Sequence, residues 1–75
     1  DVDSKDSDGR TPLSRAAGDG HDAVVKLLLN KGADIETKDK NRQTPLLLAA
    51  NGGYEVVEQL LLLRGALLID DLYGS

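Results

Sequence analysis

The stretch "TPLSRAAGDGHDAVVKLLLNKGA", residues 11–33, decides how this chain folds, because the chain contains it twice. The second copy, "TPLLLAANGGYEVVEQLLLLRGA", begins at Thr44, 33 residues after Thr11. Thr, Pro, Leu, the paired alanines, one Gly, one Val, three Leu and the closing Gly-Ala recur in phase. The register also runs backwards, since "DVDSKD" (residues 1–6) lines up with "DIETKD" (residues 34–39). A period of this length marks an array of supersecondary units, none of which can bury its apolar face alone.

Within each copy the residues dictate two short antiparallel helices. Thr11 and Thr44 suit the N-cap, where a hydroxyl accepts from an amide left open at the helix start. Pro12 and Pro45 then fall at the first helical position, where a missing N–H costs nothing. The pairs Ala16-Ala17 and Ala49-Ala50 present small surfaces that let a neighbouring helix come close, and Gly20 and Gly53 end the helix. A second helix is expected over 22–30, and its counterpart over 55–63. Val24, Leu27 and Leu28 make an apolar stripe at helical spacing, as do Val57, Leu60 and Leu61. Gly32 and Gly65 stop these helices, with Lys31 and Arg64 set against the negative helix ends. Residues 33–43 carry turn chemistry, and Ile35 alternates with polar neighbours as in an extended hairpin arm.

Composition fits one small helical unit. The 75 residues are 40% hydrophobic but include only two aromatics, both Tyr, so the apolar mass is Leu, Val and Ala. With no cysteine, disulfide staples and thiolate metal sites are excluded, which fits an intracellular protein with cytoplasm and nucleus unresolved. No basic segment followed by an apolar core marks a signal peptide. The most apolar run, "LLLLRGALLI" (residues 60–69), falls short of the ~20 residues needed to cross a bilayer, and Arg64 interrupts it. No membrane association is expected. A net charge of −4 argues against a nucleic-acid partner, whose phosphates need clustered Lys and Arg.

Several local patterns carry possible chemistry and are outweighed. Ser4-x-Asp6-x-Asp8-Gly9 resembles the first half of a calcium loop, yet the bidentate acid required at the twelfth position falls on Arg15. Its repeat copy, "TKDKNR" (residues 37–42), keeps one carboxylate and has Arg42 in place of the glycine. The loop reads as a turn between units, and a calcium module stays only a remote alternative. "GDGHDA" (residues 18–23) scans as a dinucleotide fingerprint, but that signal requires a strand before it, where a helix is expected. Ser14, His21 and Asp19 or Asp22 hold the atoms of a nucleophilic triad with nothing to bring them together. His21 reads instead as the start of the second helix, where the matching residue is Tyr54. A lone His with scattered carboxylates makes no metal set. No catalysis, metal or cofactor is expected. The leucine triplets recur in both units and therefore read as shared core.

The pattern D-x-x-G-x-T-P-L-x-x-A-A-x-x-G-x-x-x-V-V-x-L-L-L-x-x-G-A-D, running from Asp6, resembles the ankyrin repeat. That resemblance implies an all-α solenoid of antiparallel helix pairs joined by β-hairpin-like turns. It divides the chain into the end of a preceding repeat (1–5), repeat one (6–38), repeat two (39–70) and the start of a following repeat (71–75). Three departures stand out. Ser14 and Leu47 replace a histidine that bridges neighbouring repeats in the family. Arg42 fills a turn position that favours glycine, so a strained or reshaped second turn is expected. Leu67 stands where Asp34 stood, which makes the last turn apolar.

The resemblance implies a non-catalytic scaffold that binds another protein through its turn tips and the concave face of its first helices. Carried over by position, the contact residues are Ser7, Asp8, Arg10, Gly18 and Asp19 in repeat one. In repeat two they are Lys40, Asn41, Gln43, Asn51 and Gly52. The first set leans acidic and the second basic, implying a partner of mixed polarity. Repeat arrays also need polar ends, and neither end of this chain reads as a cap. A piece of a longer array, or a homo-oligomer covering Leu63, Leu67, Leu68 and Ile69, is the alternative expectation.

Overall fold

The structure, a computed structural model, describes residues 2–66. Its four helices are α1 (Pro12–Gly18), α2 (Asp22–Asn30), α3 (Pro45–Gly52) and α4 (Glu55–Leu63). Each helix starts where the sequence sets it. The Thr11 and Thr44 hydroxyls accept from the amides of Ser14 and Leu47 at 3.2 and 3.3 Å, and a proline opens each first helix. The ends of α2 and α4 share one closing motif. Gly32 N–H donates to the Leu29 carbonyl and Ala33 N–H to the Leu28 carbonyl; Gly65 and Ala66 do the same with Leu62 and Leu61. Lys31 and Arg64 are the C-cap residues. At the start of α2, His21 occupies the cap position but makes no side-chain capping bond, and Tyr54 behaves alike at α4.

The helices pack as two hairpins in the same orientation. First helix lies on first helix (α1 on α3), second on second (α2 on α4), and each hairpin closes on itself. Leu13, Leu46, Leu61, Val25 and Val57 are fully buried between them, with Ala16, Ala17 and Ala49 where α1 meets α3. At about 1.5–3 kcal/mol for each fully buried aliphatic side chain, this small shared core holds the two units together.

The expected apolar stripe holds in the second unit, where Val57 and Leu61 are buried and Leu60 is half-buried. In the first unit it shifts by one residue. Val24 and Leu27 face outward, and Val25 fills the buried place. The cause is neighbourhood, because α2 presents to α4 a different side from the one α4 presents to α2.

The turns repeat as closely as the helices. Asp6 N–H donates to the Arg10 carbonyl and Gly9 N–H to the Asp6 carbonyl; Asp39, Gln43 and Arg42 form the same pair, all at 2.9–3.1 Å. Each closes like a hairpin, although no strand is present among the described residues. Ile35 departs from the extended arm expected of it. It lies in a turn held by the Asp34 carboxylate, which accepts from Glu36 N–H at 3.0 Å. Arg42 does not reshape the second turn. It adopts φ +63°, close to the +75° of Gly9, and so carries the strain of a side chain in the left-handed region.

Candidate functional site

The exposed side of the turns is built around two carboxylates. Asp6 Oδ1 accepts from the amides of Asp8 and Arg10 at 2.9 and 3.0 Å, and Arg15 Nε donates to Asp6 Oδ2 at 2.7 Å. One period later, Asp39 Oδ1 accepts from the amides of Asn41 and Gln43 at 2.8 and 2.9 Å, and Arg10 Nε donates to Asp39 Oδ2 at 3.2 Å. The Asp6 oxygens are thus committed to protein donors, as a structural turn requires.

These bonds set the acidities. The Arg10 amide, followed by the Arg15 side chain, holds the Asp6 carboxyl below the ordinary carboxylate value. Burial is the largest single effect on Asp39 and pushes it up. The Gln43 and Asn41 amides and the Arg10 guanidinium together outweigh that, so its net shift is downward. Arg15 is held protonated even more firmly than usual by Asp6.

The two turns are bound to each other. Lys40 N–H donates to the Asp8 carbonyl at 3.1 Å, Lys40 Nζ pairs with Asp8 Oδ1 at 3.2 Å, and Arg10 reaches across to Asp39. Asp8, Arg10 and Lys40, three of the positions carried over from the family, therefore form one cluster. Arg10 works chiefly as a clamp on a buried acid. Ser7 and Asn41 are exposed at the tips, and Gln43 is half-buried behind them.

The remaining positions lie at the ends of α1 and α3. Gly18 is half-buried, with the Leu48 side chain ordinary contact distance from where a Cβ would stand, and Asp19 beside it is exposed. Asn51 and Gly52 are exposed at the end of α3. The Tyr54 ring fills the space beside both Gly20 and Gly52, tying the first unit's inter-helix loop to the second unit. Of the self-association residues, Leu63 is 83% exposed, and Leu67, Leu68 and Ile69 lie outside the described residues. Ser14, expected to lack the inter-repeat bridge, is buried and bonds within its own unit, its hydroxyl 3.2 Å from that of Thr11.

Sequence reasoning missed the central roles of Asp39, Asp6 and Arg15. Their signal was present in the recurrence of Asp at the same phase, which pointed to a turn requirement. Arg15 had no repeat counterpart, since Leu48 stands in its place.

A family model described as ankyrin repeats (3 copies) matches residues 1–69. The chain belongs to the ankyrin-repeat family. No curated protein matches it. Ankyrin repeats are generally non-catalytic modules for protein–protein interaction, and this chain has their helix-pair architecture. None of its described helices is long and apolar enough to cross a membrane.

Proposed function

We propose that this ankyrin-repeat chain binds a protein partner across a surface made by its turn tips and the ends of its first helices. The observation that carries the reading is the tie between the two turns, Lys40 to Asp8 and Arg10 to Asp39, with α1 against α3 behind it. Such bonding fixes Ser7, Asp8, Lys40 and Asn41 relative to Asp19 and Asn51 before any partner arrives, so little conformational entropy is lost on association. The mixed charges favour a partner of mixed polarity, and the absence of cysteine suits an intracellular setting. Asp19→Lys with Asn51→Glu and Ser7→Glu with Asn41→Glu test it in a pull-down. Selective loss of one retained protein with an unchanged melt supports the reading. Retention of every partner by both variants removes it.

A second reading rests on the outer face of α4, where Val56 and Leu63 are strongly exposed and Leu62 is exposed as well. That face, with the Leu67, Leu68 and Ile69 segment, would be covered by another copy of the chain. Sedimentation showing a folded monomer with no concentration dependence in its melting would end this reading.

A further inference from the structure

The internal interface of this molecule is also a template for how copies could add end to end. Unit two docks on unit one by a shift of one period. The far face of unit two and the near face of unit one are therefore repeats of the two sides of an interface that already works. Such head-to-tail contacts do not close, and they grow into open filaments unless something opposes them.

Three residues on the far face of unit two depart from their counterparts on the inner face of unit one. The first is at the turn. A Cβ on Gly9 would stand 2.8 Å from Lys40 N, so the second turn docks only because Gly9 has no side chain. Arg42 occupies the same place with nearly the same φ, +63° against +75°. Its Cβ would meet the backbone of a third turn docked in that register. The second is Glu58, half-buried at the position of the fully buried Val25. An added unit would bury its carboxylate, which is costly without a partner. The third is Leu47, where the inner face has the small, buried Ser14. On the opposite end, Arg15 stands in the place of Leu48, which is buried in unit two. Arg15 is tethered across that end by Asp6 and Asp8.

We infer that Arg42, Glu58 and Leu47, with Arg15 on the opposite end, block head-to-tail addition of a second copy of this chain in the register of its internal interface. This corrects the expectation that neither end is capped, since both carry a polar residue where the internal interface is apolar. It is independent of which partner the turn surface takes, and of whether α4 meets another copy in some other arrangement.

The test is a variant that restores the internal residues at both ends, R15L/R42G/L47S/E58V, compared with the native chain by sedimentation velocity and light scattering over a range of concentrations. The expected native result is a single species, or a small closed one whose mass levels off. The variant should form a series whose mean mass keeps rising with concentration. A further change distinguishes register from general stickiness. The second turn docks through Lys40 N–H donating to the Asp8 carbonyl. In a head-to-tail copy, Ser7 N–H would be that donor, with Asn41 the acceptor. Ser7 lies at the second position of its turn, which tolerates proline. Adding S7P should therefore return the variant to the native mass while circular dichroism stays helical. Open-ended growth of the native chain, a folded variant with the native mass, or growth that survives S7P would each overturn the inference.

Discussion

Val24 and Val57 hold the same place in the two units, yet Val24 is 44% exposed and Val57 only 1%. Pro12 is exposed where Pro45 is buried, and Ala17 is buried where Ala50 is exposed. Nothing in the residues themselves accounts for this, because they are identical in each pair. Val57 and Pro45 face the preceding unit and are covered by it, whereas Val24 and Pro12 have no described neighbour on that side. Ala17 faces forward and is covered; Ala50 faces forward and is not. In a stacked fold, what a side chain contributes depends on which of its faces has a neighbour, and the repeat pattern alone does not say.

The largest expected effect sharpens that comparison directly. Leu61 is fully buried against the first unit, and its counterpart Leu28 is half-buried. Leu61→Ala should cost about 3 kcal/mol in urea unfolding and Leu28→Ala about 1 kcal/mol, the difference reflecting cavity against open surface. If Leu61→Ala leaves no folded baseline, Leu61→Val against Leu28→Val ranks the same pair. Equal losses would mean that burial by the neighbouring unit does not decide the energetics.

The glycine of the first turn and the arginine of the second give opposite signs. Gly9→Ala combines a left-handed side chain with a contact against Lys40 N, and should destabilise by about 2–3 kcal/mol. Arg42→Gly relieves the same backbone strain with no described turn beyond it. It should raise stability by up to about 1 kcal/mol, reduced by the added freedom of glycine in the unfolded chain. Thermal melts of the two variants moving in the same direction would break the turn comparison.

Much of this fold was legible from residues whose role is local. Thr-Pro sets a helix start, Gly-Ala sets an end, and a 33-residue recurrence sets the stacking, so the bounds of α2 and α4 were recoverable from spacing. What spacing could not supply was direction. Val24 and Val25 are adjacent and equally apolar, and only the position of α4 decides which is buried. The candidate surface was partly legible for the same reason. Asp8 and Lys40 could be placed at turn tips by phase. Their pairing across the turns, and the burial of Asp39 beneath Arg10, depend on the distance between units. Arg10 could therefore be read as a contact residue when its first task is to neutralise a buried carboxylate.

Asp39 and Asp6 repeat that lesson at a smaller scale. Asp39→Ala strands two amides and a guanidinium, at a cost of about 2 kcal/mol. Asp6 makes the same bonds at an exposed site, and Asp6→Ala should lower the melting temperature less. Both folded carboxyls titrate below the model value of 3.8. The folded state therefore binds fewer protons than the unfolded chain as pH falls into that range. Their contribution is fully present above the unfolded value and is lost as pH drops through the lower folded ones. Acid unfolding below about pH 4 should consequently be shallower in Asp39→Asn than in the native chain. An unchanged acid limb would show that these turns do not carry the pH dependence.

The smallest effect separates holding the turns together from meeting a partner. The Lys40–Asp8 ion pair joins the same two turns as Arg10–Asp39, but both its side chains are largely solvated, 63% and 44% exposed. Lys40→Ala should cost under about 0.5 kcal/mol, and less still at high salt, because an exposed pair gains little over its hydration. The backbone bond from Lys40 to Asp8 survives that change, so the turn spacing should hold. Arg10→Ala removes the partner of a buried acid and should cost several times more. If instead Lys40→Ala destabilised as much as Arg10→Ala in parallel melts, the tip would be structural throughout. If it left the melt unchanged while weakening capture of a partner, Lys40 would be placed at the contact, and the clamp at Arg10 would be what holds it there.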